Sequence, residues 1–104
     1  MSQIIAVDFD GTLCEDKWPE IGRPNARLIR DLILRKEAGA KIILWTCRTG
    51  VMLVEAVDWC YNKGLTFDAI NNNVPEAIER FGGDCRKIFA DVYYDDKAVT
   101  VDVF

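Results

Sequence analysis

The sequence IIAVDFDGTL, residues 4–13, places four apolar residues directly before two aspartates that are separated by one residue. A short apolar run that ends at a turn signal is typical of a buried β-strand. Because side chains alternate along a strand, we expect Asp8 and Asp10 to point to one side and Phe9 to the other. Two neighbouring carboxylates repel each other unless a cation or a shared proton relieves them. The stretch therefore predicts a central strand that ends in a chemical site, with Gly11 allowing a tight exit from the strand.

Length and composition limit what the rest of the chain can be. With 104 residues, half of them apolar, we expect one soluble domain over residues 1–104. The net charge of −4 argues against broad electrostatic binding of nucleic acid. No apolar run approaches the ~20 residues of a membrane span, and the start lacks the basic and long apolar regions of a secretory signal. We therefore predict a cytoplasmic protein that does not enter a membrane.

The residue types that are scarce or absent restrict the chemistry further. The four cysteines show no CxxC spacing, so we expect reduced and mostly buried thiols. There is no histidine, which excludes histidine metal sites and nucleophiles activated by histidine. There is also no Gly-Lys-Ser/Thr sequence, which excludes a P-loop. An enzyme with this sequence has carboxylates for proton transfer.

Strand and helix signals alternate along the chain. Apolar runs predict further strands over residues 41–45, 65–70, 88–94 and 98–103. Helical periodicity and stop signals predict helices that run from Pro24 to Gly39, from Val51 to Lys63 and from Pro75 to Phe81. Residues 14–23 predict a loop that forms a flap over the end of the first strand. This order favours a three-layer α/β fold of Rossmann-like type, with a mainly parallel sheet and helices on both faces.

Polar side chains follow three of the predicted strands, and ligands of parallel sheets bind beyond the carboxyl ends of the strands. The side chains that meet at this edge are Asp8, Asp10, Thr46, Arg48, Asp95 and Asp96. The run Asn71–Asn73 lies towards the same rim, where turn formation explains it better than recognition does. Four carboxylates without a histidine suit a hard cation, and we expect Mg²⁺. Asp8 can then attack phosphorus as a nucleophile, and Asp10 can act as the general acid and base.

These motifs resemble the signatures of the haloacid dehalogenase (HAD) superfamily. Residues 7–13 (VDFDGTL) resemble the first signature, residues 44–46 (LWT) the second, and residues 93–96 (YYDD) the fourth. The resemblance covers nearly the whole chain and implies a small Mg²⁺-dependent phosphatase without a cap domain. The second aspartate disfavours the dehalogenase branch, which lacks it.

The resemblance also implies a role for each matching residue. Asp8 is the implied nucleophile, Asp10 the acid and base, and Thr46 the hydroxyl that contacts the phosphoryl group. The implied metal site comprises Asp8, Asp10 through its backbone carbonyl, Asp95 and Asp96. The implied substrate is a phosphorylated small molecule, next to which we place Arg48, Gly11 and Cys47. We expect the substrate pocket to be open to solvent unless the flap or a neighbouring subunit of a homo-oligomer covers it.

Three basic side chains are candidates for the positive charge beside the nucleophile, namely Lys87, Lys97 and Arg48. Lys87 resembles the lysine of the third signature, which neutralises the nucleophile and the phosphate. In an uninterrupted strand over 88–94, however, it would lie roughly 20 Å from Asp95, at ~3.3 Å per residue. We therefore predict that the backbone leaves strand geometry between Ile88 and Asp91, which would let the Lys87 amine bond to Asp8.

Two other functions fit parts of the sequence. A phospho-accepting signalling domain also combines acids, a threonine and a lysine on a small α/β sheet. Its acceptor aspartate ends the third strand, where this chain has Ile70 and Asn71. A catalytically idle interaction module with the same fold is the second alternative. An assay of phosphate release with and without Mg²⁺ distinguishes these two alternatives from the phosphatase.

Overall fold

The computed structural model describes residues 2–102. Its strands are β1 (Ile4–Val7), β2 (Cys14–Lys17), β3 (Glu20–Pro24), β4 (Lys41–Leu44), β5 (Ala69–Ile70) and β6 (Val92–Tyr94). Its helices are α1 (Ala26–Glu37), α2 (Gly50–Asn62) and α3 (Pro75–Phe81). Within the described residues, no helix is both long and apolar enough to cross a membrane.

Four of the strands form one parallel sheet in the order β5-β4-β1-β6. β1 is central, and Ile5 pairs with Ile42 on one side and with Val92 on the other. Because all four strands are parallel, their carboxyl ends meet along one edge, which we call the carboxyl edge. The residues that follow β1, β4 and β6 therefore come together there.

Side-chain alternation along the central strands builds a core on each face of the sheet. Ile5 and Val7 pack with residues of α1 and α2 on one face, whereas Ile4 and Ala6 pack with α3 and the 88–90 segment on the other. Phe9 continues the first set and is fully buried, as predicted for the residue between the two aspartates. The three-layer, Rossmann-like α/β fold is confirmed.

The segment expected to be a loop is instead a two-stranded antiparallel hairpin of β2 and β3, residues 14–24. Pro24 therefore ends β3 rather than beginning a helix, and α1 begins at Ala26. Asn25 caps this helix, because its side chain accepts a hydrogen bond from the amide of Leu28 at 3.3 Å. The two strands of this hairpin are the elements that lie between β1 and α1 along the chain.

Two strands begin later than predicted. Just before each of them, an aspartate carboxylate instead of a backbone carbonyl accepts the hydrogen bond from an amide of the neighbouring strand. The Asp91 carboxylate accepts the amide of Ile4 at 2.7 Å, so β6 begins one residue later, at Val92. In the same way the Asp68 carboxylate accepts the amide of Ile42 at 2.8 Å before β5. The prediction that the backbone leaves strand geometry between Ile88 and Asp91 is confirmed.

The predicted strand over 98–103 is wrong for its described part, since residues 98–102 belong to no strand, and Val103 lies outside the described residues. A turn after β6 redirects the chain, with the amide of Ala98 donating to the carbonyl of Asp95 at 3.3 Å. The cysteines also differ from expectation. Cys14 and Cys60 are buried free thiols, but Cys47 and Cys85 are exposed.

Candidate functional site

Three carboxylates converge at the carboxyl edge. Asp8 follows β1 directly, and Asp95 and Asp96 follow β6 directly. The amide of Asp8 donates to the carbonyl of Tyr94 at 2.9 Å, which fixes the two strand ends side by side. One oxygen of each carboxylate lies within 4.8 Å of the others. We call Asp8, Asp95 and Asp96 the acidic cluster.

The electrostatics of the cluster act most strongly on Asp8. The pKa of Asp8 is raised from 3.8 to about 6, mainly by burial and also by the charges of Asp95, Asp96 and Asp10. A hydrogen bond from the amide of Phe9 opposes this rise. The cluster therefore holds charges that repel one another.

The donor set of the acidic cluster suits a hard divalent cation. All three ligand groups are carboxylates, and Mg²⁺ prefers oxygen ligands at about 2.0–2.1 Å in an octahedron. Oxygens around one such ion lie roughly 3–4 Å apart, which the 4.8 Å spread of the cluster approaches. The Asp10 carboxylate is not part of the cluster, and its backbone carbonyl stays a predicted ligand.

Gly11 makes room for Asp96. A Cβ atom at Gly11, whose φ is +87°, would lie 2.5 Å from a carboxylate oxygen of Asp96. The Gly11 amide donates to the carbonyl of Cys14 at 2.9 Å, so this donor is used within the turn. Thr12 holds Asp96 from the other side, since its hydroxyl accepts the Asp96 amide at 3.1 Å. These contacts assign Gly11 a structural role, and its predicted contact with a substrate stays a prediction.

Arg48 is a buried structural cation, not a substrate contact. Its guanidinium donates two hydrogen bonds to the Asp10 carboxylate, from Nε at 2.9 Å and from Nη2 at 2.7 Å. Two further bonds reach the carbonyls of Pro19 and Glu20 in the hairpin, both at 3.1 Å. The side chain is 0% exposed, and four of its five N–H groups are used. The prediction of substrate binding is wrong because no face of the guanidinium is left open.

Arg48 also lies between two aromatic rings. Its guanidinium carbon is 5.1 Å from the centre of the Phe9 ring and 5.1 Å from that of Trp18. Its hydrogen bonds to Asp10 raise the pKa of Arg48 above its usual value. The pair of Arg48 and Asp10, which we call the buried ion pair, thus fixes the hairpin to the end of β1.

A cavity of about 430 Å³ opens between the acidic cluster and the hairpin. It is lined by Asp8, Asp10, Asp16, Trp18, Trp45, Thr46, Cys47, Asp95 and Lys97. Thr46 is oriented by two bonds, its amide donating to Asn71 Oδ1 at 2.8 Å and its hydroxyl accepting the Arg48 amide at 3.1 Å. Its hydroxyl proton therefore stays available to a ligand oxygen. Thr46 and Cys47 both line the cavity, and their roles in catalysis and substrate binding stay predictions.

Lys87 does not join the site. Among residues 2–102 it makes no salt bridge with Asp8, it is exposed, and it does not line the cavity. The bend at Asp91 turns the backbone, but the 88–90 segment packs against the face of the sheet that carries α3 and leaves Lys87 at the surface. Of the three candidate cations, Lys97 is the one that lines the cavity.

The sequence reasoning missed Trp45, Asp16 and the hairpin that carries Asp16. The sequence gives little warning of this hairpin, because Cys14–Lys17 and Glu20–Pro24 consist mostly of residues that are depleted in strands. Trp45 was expected to end a buried strand, yet its indole is 36% exposed on the cavity wall. Asn71 and Asn72 form a bend in which Asn71 has a φ of +55°, and the buried Asn73 holds the 84–89 segment through bonds to Asp84 and Phe89.

The fold is shared with a known structure. A conserved protein from Bacteroides thetaiotaomicron is 39% identical, with a TM-score of 0.84 over 95% of this chain and 79% of that protein. No family model and no curated protein matches the sequence. The name of the Bacteroides protein states no activity, so the relationship gives the fold and not the reaction. At this identity and coverage, the chain belongs to the same family as that protein.

Proposed function

We propose that the chain is a Mg²⁺-dependent phosphomonoesterase of the HAD type, which acts through an aspartyl-phosphate on Asp8. One observation carries this proposal, namely that Asp8, Asp95 and Asp96 converge beside a cavity into which the Thr46 hydroxyl can donate. A lone acidic cluster would suit a structural cation equally well. The combination with a nucleophile, an oriented hydroxyl and a cavity favours catalysis.

In the proposed first step, an oxygen of ionised Asp8 attacks phosphorus and the bond to the substrate alcohol breaks. Asp8, Asp95 and Asp96 would hold the cation, which when bound offsets the charge of the carboxylates and of a phosphoryl oxygen. The Thr46 hydroxyl donates a hydrogen bond to a second phosphoryl oxygen. Lys97 supplies the positive side chain on the cavity wall, in the role that the resemblance implies for Lys87.

Asp10 is placed to move the proton. It lines the cavity, and its side chain is 17% exposed. A carboxylate has about four lone-pair sites, of which Arg48 takes two. In the substrate complex a remaining site takes up a proton, from solvent or from a monoanionic phosphate ester, and gives it to the leaving alcohol oxygen. The same site then takes a proton from the water that releases inorganic phosphate from Asp8. Arg48 holds Asp10 in one orientation for both steps.

The test is release of inorganic phosphate from a panel of phosphate monoesters, with millimolar Mg²⁺ or with EDTA. We expect release with Mg²⁺ only, and none from Asp8→Asn. Asp58→Asn, an exposed acid on α2, is the matched control and should stay active. Stable phosphorylation of Asp8 without turnover would favour a signalling domain, and no reaction with any ester would favour an idle module.

A further inference from the structure

We infer that the cavity accepts monophosphate esters whose alcohol carries a flat unsaturated ring, bound against Trp18 and Trp45. This inference rests on the proposed function and names its substrate class. Trp18 is 55% exposed and Trp45 36%, and both line the cavity that contains Asp8. Tryptophan carries a large apolar ring, so two of them at the wall of an acidic cavity form a surface suited to another apolar ring.

Trp18 is held in place although it is exposed. Its ring packs on the guanidinium of Arg48, which also packs on the ring of Phe9, with 5.1 Å from the guanidinium carbon to each ring centre. Phe9 is fully buried and meets Trp59 edge to face at 5.5 Å. Trp18 is thus the exposed end of a series of contacts that begins in the core. A ligand ring on its outer side would add one further layer without ordering a mobile side chain.

Trp45 lies next to the phosphoryl contact. It directly precedes Thr46, and its amide donates to the carbonyl of Val7 at 2.9 Å. This bond extends the pairing of β4 with β1 and fixes the backbone on which the indole stands. A ring held here would belong to the alcohol part of the ester, because the phosphoryl group is adjacent at Asp8 and Thr46.

The charge of the cavity limits what else the ligand can carry. Asp16 and Asp95 line it, and Lys97 is the only basic residue among the described lining residues. Further phosphates would therefore meet carboxylates. A ring-bearing monophosphate, such as a nucleoside monophosphate or an aryl phosphate, matches this lining better than a polyphosphate does.

The test compares adenosine monophosphate and uridine monophosphate with ribose 5-phosphate. All three present the same primary alcohol as the leaving group, so a difference in KM reports the ring. Base-on-aromatic stacking is worth roughly 1–3 kcal/mol, so we expect a KM about tenfold to hundredfold lower for the nucleotides. Trp18→Leu and Trp45→Leu should each raise the nucleotide KM by a larger factor than the KM of ribose 5-phosphate. Tyr61→Leu, an exposed aromatic on α2, is the matched control.

Equal KM values for nucleotide and ribose 5-phosphate in an active enzyme would overturn the ring site and leave the phosphatase standing. So would tryptophan variants that affect all esters alike. If no ester is hydrolysed, the phosphatase proposal fails, and binding decides the ring site separately. In that case nucleotide binding is followed by quenching of tryptophan fluorescence in the wild type and in each leucine variant. Absence of quenching, or quenching that survives both substitutions, overturns the inference, and melting curves establish that each variant is folded.

Discussion

Asp8 and Asp10 are two residues apart at the end of one strand, yet their surroundings are opposite. Asp10 receives two guanidinium hydrogen bonds from a buried arginine. Asp8 faces two further carboxylates, and burial raises its pKa to about 6. Arg48 neutralises the charge of Asp10, whereas no salt bridge within residues 2–102 neutralises the carboxylates of the acidic cluster. Groups held in an unfavourable state at the edge of a cavity are candidates for function, because stability alone does not explain them.

The buried ion pair and the acidic cluster also contribute differently to the stability of the fold. Arg48 joins the hairpin to the end of β1 through the carbonyls of Pro19 and Glu20, and it positions Asp10. The acidic cluster is joined to its surroundings by the bond from the Asp8 amide to Tyr94 and by that from the Asp96 amide to Thr12, while its carboxylates repel one another. We therefore expect substitutions in the buried ion pair to lower stability, and substitutions in the acidic cluster to lower activity while leaving stability equal or higher.

The largest expected effect is on activity. Asp8→Asn should reduce phosphate release by about 10⁴-fold or more, as loss of a nucleophile does, whereas Asp10→Asn should lose about 10²- to 10⁴-fold through failure of proton transfer. Without metal, Asp8→Asn should melt at a higher temperature than the wild type, because one repelling charge is gone. Asp10→Asn should melt lower, because Arg48 loses its partner. Melting shifts of the same sign in both variants would contradict the contrast between the two aspartates.

The next effect is on stability. Arg48→Met should lower the free energy of unfolding by about 3–5 kcal/mol, since removing one partner of a buried ion pair leaves the other unpaired. The double variant Arg48→Met/Asp10→Asn should be less destabilised than the sum of the two single variants. Urea denaturation measures all four proteins, and Arg35→Met, which removes an exposed pair with Asp31, is the control. Additive losses would show that the pair is not coupled.

The sequence was a good guide to the centre of the fold and a poor one to contacts between distant residues. The apolar runs before Asp8 and Thr46 and the helix of residues 75–81 were predicted because each signal is local. The convergence of Asp8, Asp95 and Asp96 followed from topology, since parallel strands end at one edge. These features depend on periodicity and on strand direction, and both can be read from a single chain.

What could not be predicted depends on where side chains reach. Nothing local shows that Arg48 lies beside Asp10 beneath a hairpin, because the two are 38 residues apart and the hairpin was expected to be a loop. The prediction that the Lys87 amine reaches Asp8 failed for a related reason. The bend at Asp91 was predicted correctly, but the packing of residues 88–90 against the sheet decided where Lys87 ended. Lys97, which lines the cavity, follows a turn whose direction no sequence pattern specifies.

A smaller effect concerns the cation. A ligand that binds only the folded state stabilises it by about 2.7 kcal/mol at a hundred times its dissociation constant. We therefore expect millimolar Mg²⁺ to raise the melting temperature of the wild type, and Asp95→Asn to lose that increase. Asp58→Asn, outside the acidic cluster, should keep it. If Mg²⁺ leaves the wild-type melting curve unchanged, the acidic cluster is not a Mg²⁺ site.

The smallest effect is the pH dependence of the metal-free protein. The pKa of Asp8 is 3.8 in the unfolded reference and about 6 in the fold, so between these values the folded state binds more protons than the unfolded one. The contribution of Asp8 to stability is therefore complete below pH 4 and falls as the pH rises through 6. We expect a loss of about 1–2 kcal/mol, because one pKa unit corresponds to about 1.4 kcal/mol and water at this partly exposed carboxyl reduces the effect. Urea denaturation in EDTA at several pH values measures it as the difference between the wild type and Asp8→Asn. A difference that does not change across this window would show that Asp8 is as well accommodated as Asp10, and the contrast between the two aspartates would then have no electrostatic basis.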